Sequence, residues 1–154
     1  MIAIVGKAGL LVRGPRFDSK QAFLDEVGFH QIFQVISLQE GWADFLGHYN
    51  EKEDCAALGM PFKRVRFSNL VAPSPAQCRE VLSAIRNAEG KTYLHCFAGV
   101  DRTGFICGLY RHLEDDLTPD EAWREQCAGM GMHRRYQLFW RHSFFERCRE
   151  LYLG

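Results

Sequence analysis

In the run YLHCFAGVDRTG, Tyr93 to Gly104, five residues separate Cys96 from Arg102, with Gly99 between them and Thr103 and Gly104 directly after. A short, glycine-bearing turn from a strand into a helix aims successive backbone N–H groups at one point and adds the positive end of the helix dipole. Gly99 can take backbone angles closed to other residues, and Arg102 can offer a planar fork of donors to two oxygens of an anion. Such a cradle suits phosphate, sulfate or a similar oxyanion. A cysteine at its base feels the same dipole and donors, which favour the thiolate and lower its pKa from about 8.5. Cys96 is therefore expected to attack a bound phosphorus. Thr103 can hydrogen-bond the sulfur and help it leave, and His95 can brace the loop backbone from the strand. The chemistry implied is phosphoryl transfer in two steps through a cysteinyl-phosphate.

The other five cysteines, Cys55, Cys78, Cys107, Cys127 and Cys148, are scattered in apolar or helical contexts and read as inert, reduced packing residues. No two cysteines show the C-x-x-C spacing of zinc or redox sites, so neither a metal nor any other cofactor is expected.

Lys plus Arg balances Asp plus Glu at 19 each, which leaves no global field to hold nucleic acid or an anionic membrane. Any anion must be gripped locally. Apolar residues make up 47% and aromatics 13% of 154 residues, enough for one domain, 1–154, with its own core. No stretch has the roughly 18 consecutive apolar residues of a membrane span. The start, MIAIVGKAGLLV, lacks a basic region and is interrupted by Lys7 and glycines, which argues against a signal peptide and for a cytoplasmic protein.

Strands and helices alternate along the chain. Gly9–Gly14 reads as a strand; Asp18 or Ser19 can cap a helix from Lys20 to Val27 that Gly28 ends; Gln31–Leu38 is the next strand. A helix is expected over much of Trp42–Leu58, with Glu51–Asp54 as a solvated helix end or loop, and a strand over Met60–Phe67. Ser74, Pro75 and Gln77 start a helix reaching about Ala88. Thr92–Cys96 is a buried strand, Arg102–Asp116 a helix, Thr118, Pro119 and Glu121 the start of another, and Tyr136–Tyr152 the last. This order predicts an α/β fold: a mostly parallel sheet with helices on both faces and Cys96 at the carboxyl edge, where such sheets bind ligands.

The segment HCFAGVDRTG resembles the signature loop of the protein tyrosine phosphatase superfamily, in which His-Cys is followed by five residues and then Arg-Ser or Arg-Thr and Gly. Together with LLVRGPR and VISL, the size of the chain is most similar to the compact dual-specificity branch. The resemblance implies that Cys96 is the nucleophile, Arg102 the phosphate clamp and Thr103 the helper in hydrolysis, while Phe97, Ala98, Gly99, Val100 and Asp101 supply the backbone cradle. The substrates implied are phosphotyrosine, and beyond it phosphoserine and phosphothreonine, on a protein or a small phosphomonoester.

Such enzymes carry a general acid, normally an aspartate on a loop some thirty residues before the nucleophile. Here the corresponding segment is RFSNLVAPSP, with Asn69 where aspartate is expected and no carboxylate between Lys63 and Arg79. Asp101 is the candidate substitute, as in myotubularin-type lipid phosphatases, whose loops carry Gly-x-Asp-Arg. Asp44, Glu51, Glu53 and Asp54 are alternatives, and Asp101 can equally be a solvated residue or an arginine partner. Some bacterial loops of this kind place Lys before the Asp, suiting extra phosphates on an inositol ring, whereas this chain has Val100. Lys63, Arg64, Arg66, Arg134, Arg135 and Arg141 are candidates to extend the site, and Gln137 falls near a glutamine of many family members. Two other readings stand beside the protein phosphatase: a module that binds phosphate with little turnover, and a phosphoinositide or inositol phosphate phosphatase. Sulfur transfer and arsenate reduction fit the loop least.

Overall fold

The computed structural model describes residues 2–39 and 49–151. Five strands form one sheet: β1 (Ala3–Val5), β2 (Leu11–Gly14), β3 (Ile32–Ser37), β4 (Phe62–Arg64) and β5 (Lys91–His95), in the spatial order β1-β2-β5-β3-β4. Only β1 runs antiparallel. The expected α/β class holds. The helices are α1 (Lys20–His30), α2 (Glu51–Ala57), α3 (Pro75–Asn87), α4 (Asp101–Asp115), α5 (Pro119–Gln126) and α6 (Arg134–Glu150).

Alternation along each strand sends side chains to two separate cores. Val12, Val35 and Tyr93 face α1 and α2 and pack with Phe23, Val27 and Cys55. Their neighbours Leu11, Ile36 and Leu94 face α3 to α6 and pack with Leu82, Phe105, Trp140 and Phe144. The central strands are apolar on both faces because both faces are covered.

Caps mark the helix starts as the sequence suggests. The Ser19 hydroxyl accepts from the Ala22 N–H at 3.1 Å. Ser74 with Gln77 and Thr118 with Glu121 close reciprocal capping boxes ahead of α3 and α5.

Several boundaries differ from expectation. Helix α1 passes through Gly28 and ends three residues later, where Gln31 takes the left-handed conformation (φ 55°) and its N–H reaches back to Gly28 and Val27. The strands are shorter than their apolar runs, since pairing with a neighbour, not hydrophobicity, sets their ends. The helix expected from Trp42 lies partly outside the described residues; Asn50 caps α2, so the helix begins at Glu51. Helix α6 starts before Tyr136 because the ring of His133 accepts from the Arg135 N–H at 3.1 Å, an unusual cap. Strand β1, in the apolar start, adds a fifth strand to the four that the sequence predicts. No helix among the described residues is long and apolar enough to cross a membrane.

Candidate active site

Strand β5 ends at His95, and residues 96–100 turn directly into α4. The turn lies at the carboxyl edge of the central strand, where α4 presents its unpaired N–H groups. Asp101, expected in the loop, is the first residue of α4.

The turn is held open from behind. The Phe97 carbonyl accepts from the Arg16 N–H at 3.0 Å. Those of Gly99 and Val100 accept from the Arg13 guanidinium at 3.0 and 3.2 Å. With these carbonyls drawn outward, the peptide N–H groups face the centre of the turn. Gly99 has φ +72°, and a Cβ there would stand 2.2 Å from the carbonyl carbon and oxygen of Gly14. Gly99→Ala is therefore expected to open the turn and reduce phosphate-ester turnover by about a hundredfold, the scale of an ångström-level misplacement. Steady-state kinetics within threefold of the parent would show that the cradle tolerates this shift.

Arg13 is a functional residue that reading the sequence missed, although it lies in the segment LLVRGPR. Its side chain is 1% exposed. Besides the two cradle carbonyls, its guanidinium donates to the Gln126 carbonyl at 2.7 Å and side-chain Oε1 at 2.8 Å, tying the turn to the end of α5. A strand arginine reads as an outward residue; only the topology, which places α5 over the end of β2, reveals an inward one.

Cys96 is 3% exposed. Burial alone would raise its pKa, but the hydroxyl and N–H of Thr103, the Arg102 cation and the Gly99 N–H together bring the thiol below its ordinary value. The other five thiols move the opposite way. Burial pushes Cys107 to about 11, pushes Cys55, Cys78 and Cys148 to about 12, and holds Cys127 well above its usual value. All six cysteines are free. The buried Thr103 hydroxyl has no other hydrogen-bond partner among the described residues and is close enough to the Cys96 thiol to lower its pKa.

Arg102 donates to the Phe67 carbonyl at 3.2 Å, linking the cradle to the segment that carries Asn69. Asn69 is exposed there, next to a turn in which the Ser68 hydroxyl accepts from the N–H groups of Leu70 and Val71. Asp101 accepts from the His133 N–H at 2.9 Å, joining the start of α4 to the start of α6. Asn69, Leu70, Arg135, Tyr136, Phe139 and Trp140 line a cleft of about 170 Å³ between the 68–71 turn and α6. Phe97 (60% exposed), Leu70 (76%) and Phe139 (66%) are large apolar side chains left open to solvent.

The remaining basic candidates are mostly engaged elsewhere. Lys63 pairs with Glu80 at 3.3 Å, Arg141 with Asp120 at 3.3 Å, and Arg64 stacks on Phe62. Arg135 lies over the Tyr136 ring and donates to its hydroxyl at 2.9 Å. Gln137 donates to the Met132 carbonyl at 2.7 Å. Arg66 and Arg134 are exposed.

Among the alternative carboxylates, Asp44 lies outside the described residues, Glu53 is exposed and Asp54 pairs with Lys20 at 3.7 Å. Glu51 corrects the expectation of a solvated run: it is 3% exposed, and its Oε1 lies 2.7 Å from His95 Nε2. A charged run in sequence gives no sign that its first member turns inward.

The chain matches the model of the tyrosine phosphatase family over residues 44–115. No curated protein sequence matches it significantly. Among solved structures it is similar to a mutant form of Tk-PTP (TM-score 0.74, 21% identity, covering 97% of both chains). It is similar also to PTPMT1 (TM-score 0.71, 18% identity, 91% of this chain and 92% of that one). A third is the core catalytic domain of the PP-IP phosphatase SIW14 from S. cerevisiae (TM-score 0.70, 16% identity, 93% and 84%). The family match spans the signature loop, which lies at the carboxyl edge of the sheet, and the chain shares the fold of these solved phosphatases.

Proposed function

We propose that the protein hydrolyses aryl phosphate monoesters, with phosphotyrosine as the preferred group, through a cysteinyl-phosphate. The observation that carries this reading is the geometry of the turn: Cys96 follows the end of β5 directly, the Gly99 and Val100 carbonyls are drawn back by Arg13, and α4 starts at Asp101 with Arg102 in its first turn, a setting that lowers the thiol's pKa while burial raises that of the other five. In the first step the Cys96 thiolate attacks phosphorus, the S–P bond forms as the bond to the leaving oxygen breaks, and that oxygen takes up a proton. Arg102 and the N–H groups of residues 97–101 hold the equatorial oxygens. In the second step water attacks phosphorus, inorganic phosphate departs, and Thr103 stabilises the returning thiolate.

An aryl group is favoured over a polyphosphorylated inositol by the surroundings of the cradle. Residues 97–101 contain no Lys or Arg, and the exposed side chains of Phe97, Leu70 and Phe139 are apolar. The test is vanadate-sensitive turnover of p-nitrophenyl phosphate and of a phosphotyrosine peptide, compared with inositol hexakisphosphate and a phosphoinositide. Faster hydrolysis of the inositol substrates would reverse the assignment. Turnover of none, with retained binding of the phosphopeptide, would favour the non-hydrolysing module, a reading that draws support from Asn69 at the usual acid position.

For the leaving-group proton the proposed donor is Asp101, positioned at the opening by the His133 N–H. Asp101→Ala is expected to cost about 10²-fold or more on an alkyl phosphate and only a few-fold on p-nitrophenyl phosphate, since a good leaving group departs without protonation. Equal losses on both substrates would assign the proton to another group, and a gain from Asn69→Asp would locate it in the 68–71 turn.

A further inference from the structure

Resting on the reading of Cys96 as nucleophile, we infer that Glu51 is a positioning residue for it, holding the adjacent His95 as a doubly protonated imidazolium. Helix α2 contributes this carboxylate from 44 positions upstream of the histidine. His95 Nδ1 lies 2.9 Å from the Cys96 carbonyl oxygen, which can only accept, so Nδ1 carries hydrogen. Nε2 lies 2.7 Å from Glu51 Oε1, and a hydrogen there as well gives both nitrogens a matched acceptor. The second Glu51 oxygen is 3.4 Å from the Tyr49 hydroxyl, a further donor. The side chains are 0% and 4% exposed, so neither charge has water to fall back on and each depends on the other.

The groups that face His95 are few. Glu51 comes from α2 and Cys96 from the cradle, and the Tyr93 ring from β5 lies 5.9 Å away. Tyr49 acts through Glu51, and the Arg16 cation sits over the Tyr49 ring at 5.4 Å. Burial works against the imidazolium, but the Glu51 carboxylate outweighs it and the pKa of His95 moves up. The cation is one residue from the sulfur and bonded to that residue's own carbonyl; the carboxylate lies on the far side of the ring. The pair as a whole is neutral, but its positive end is turned to the backbone of the nucleophile's own residue, at 2.9 Å from the Cys96 carbonyl.

Glu51→Gln keeps an oxygen that can accept from Nε2–H and removes the charge. The apparent pKa of Cys96, read from the pH dependence of iodoacetamide alkylation, is expected to rise by about one unit or more, each unit being tenfold in thiolate at acid pH. Turnover of p-nitrophenyl phosphate should fall about tenfold near pH 5.5 and return to within about threefold of the parent near pH 8, a pH split that a structural lesion would not produce. Glu53→Gln, exposed on the same helix, should leave both profiles in place. A folded Glu51→Gln variant with an unshifted alkylation profile overturns the proposal. If that variant does not fold, nitrogen NMR of the parent decides: both His95 nitrogens protonated through pH 7 supports the inference, and a single neutral tautomer overturns it. A parent Cys96 that alkylates with an ordinary thiol pKa defeats the phosphatase reading itself, and the role of Glu51 falls with it; a lowered pKa that Glu51→Gln leaves unmoved defeats the role of Glu51 alone.

Discussion

Cys96→Ser is expected to reduce hydrolysis of p-nitrophenyl phosphate by at least about 10⁴-fold while the protein stays folded and still binds phosphopeptide. The loss is this large because the thiolate is the attacking group in the proposed reaction, and removing a nucleophile from a site that acts as a unit removes nearly all of its chemical acceleration. A serine hydroxyl at the same position is not ionised at neutral pH, and the donors that stabilise a thiolate, the Thr103 hydroxyl and the N–H groups of Thr103 and Gly99, do not lower its pKa far enough to replace it. Those donors and Arg102 remain to hold the phosphate, so the variant should trap substrate. Residual turnover within tenfold of the parent would mean that Cys96 does not attack phosphorus. Substituting any of the five thiols with raised pKa should leave turnover close to the parent, and any loss there should follow stability.

Arg13→Met is expected to damage both stability and turnover. The guanidinium is buried and its four contacts go to the carbonyls of Gly99, Val100 and Gln126 and to the Gln126 side chain. Methionine fills comparable space but leaves these acceptors without donors, each worth about 1–3 kcal/mol when stranded. Four acceptors at even the lower end of that range cost about 4 kcal/mol or more, a large share of the ~5–15 kcal/mol that holds a domain together. The midpoint of thermal unfolding should drop by about 10 °C or more. Turnover measured well below the new midpoint should still be down by about 10²-fold, since the released carbonyls can rotate inward and repel the phosphate. Arg13→Lys should recover part of the stability and little of the activity, because a single ammonium cannot serve α5 and the cradle together. If Arg13→Met melts with the parent and turns over normally, the cradle is shaped by Gly99 and the α4 terminus alone.

Much of this architecture is legible in the sequence because its signals are local. The parallel sheet follows from apolar runs alternating with capped helices, and the capping boxes at Ser74 and Thr118 need only four consecutive residues each. The cradle is local too: Cys96, Gly99, Arg102 and Thr103 fall within eight positions, so their chemistry can be read before any fold is known. Helix ends are less legible where the deciding residue is not a usual cap, as at Gln31 and His133.

What the sequence by itself determined is the chemistry that the loop can do: an anion cradle, a thiolate and a clamp, whose spacing along the chain is also their spacing in the structure. The supports of that loop were decided by tertiary structure, because each comes from a distant segment whose local pattern says something else. Arg13 looks like an outward strand residue and Glu51 like part of a solvated acidic run, yet one is 1% and the other 3% exposed. The physical reason is desolvation. A buried charge is tolerable only where partners from other elements meet it, and β2, β5, α2 and α5 come together only once the sheet has formed.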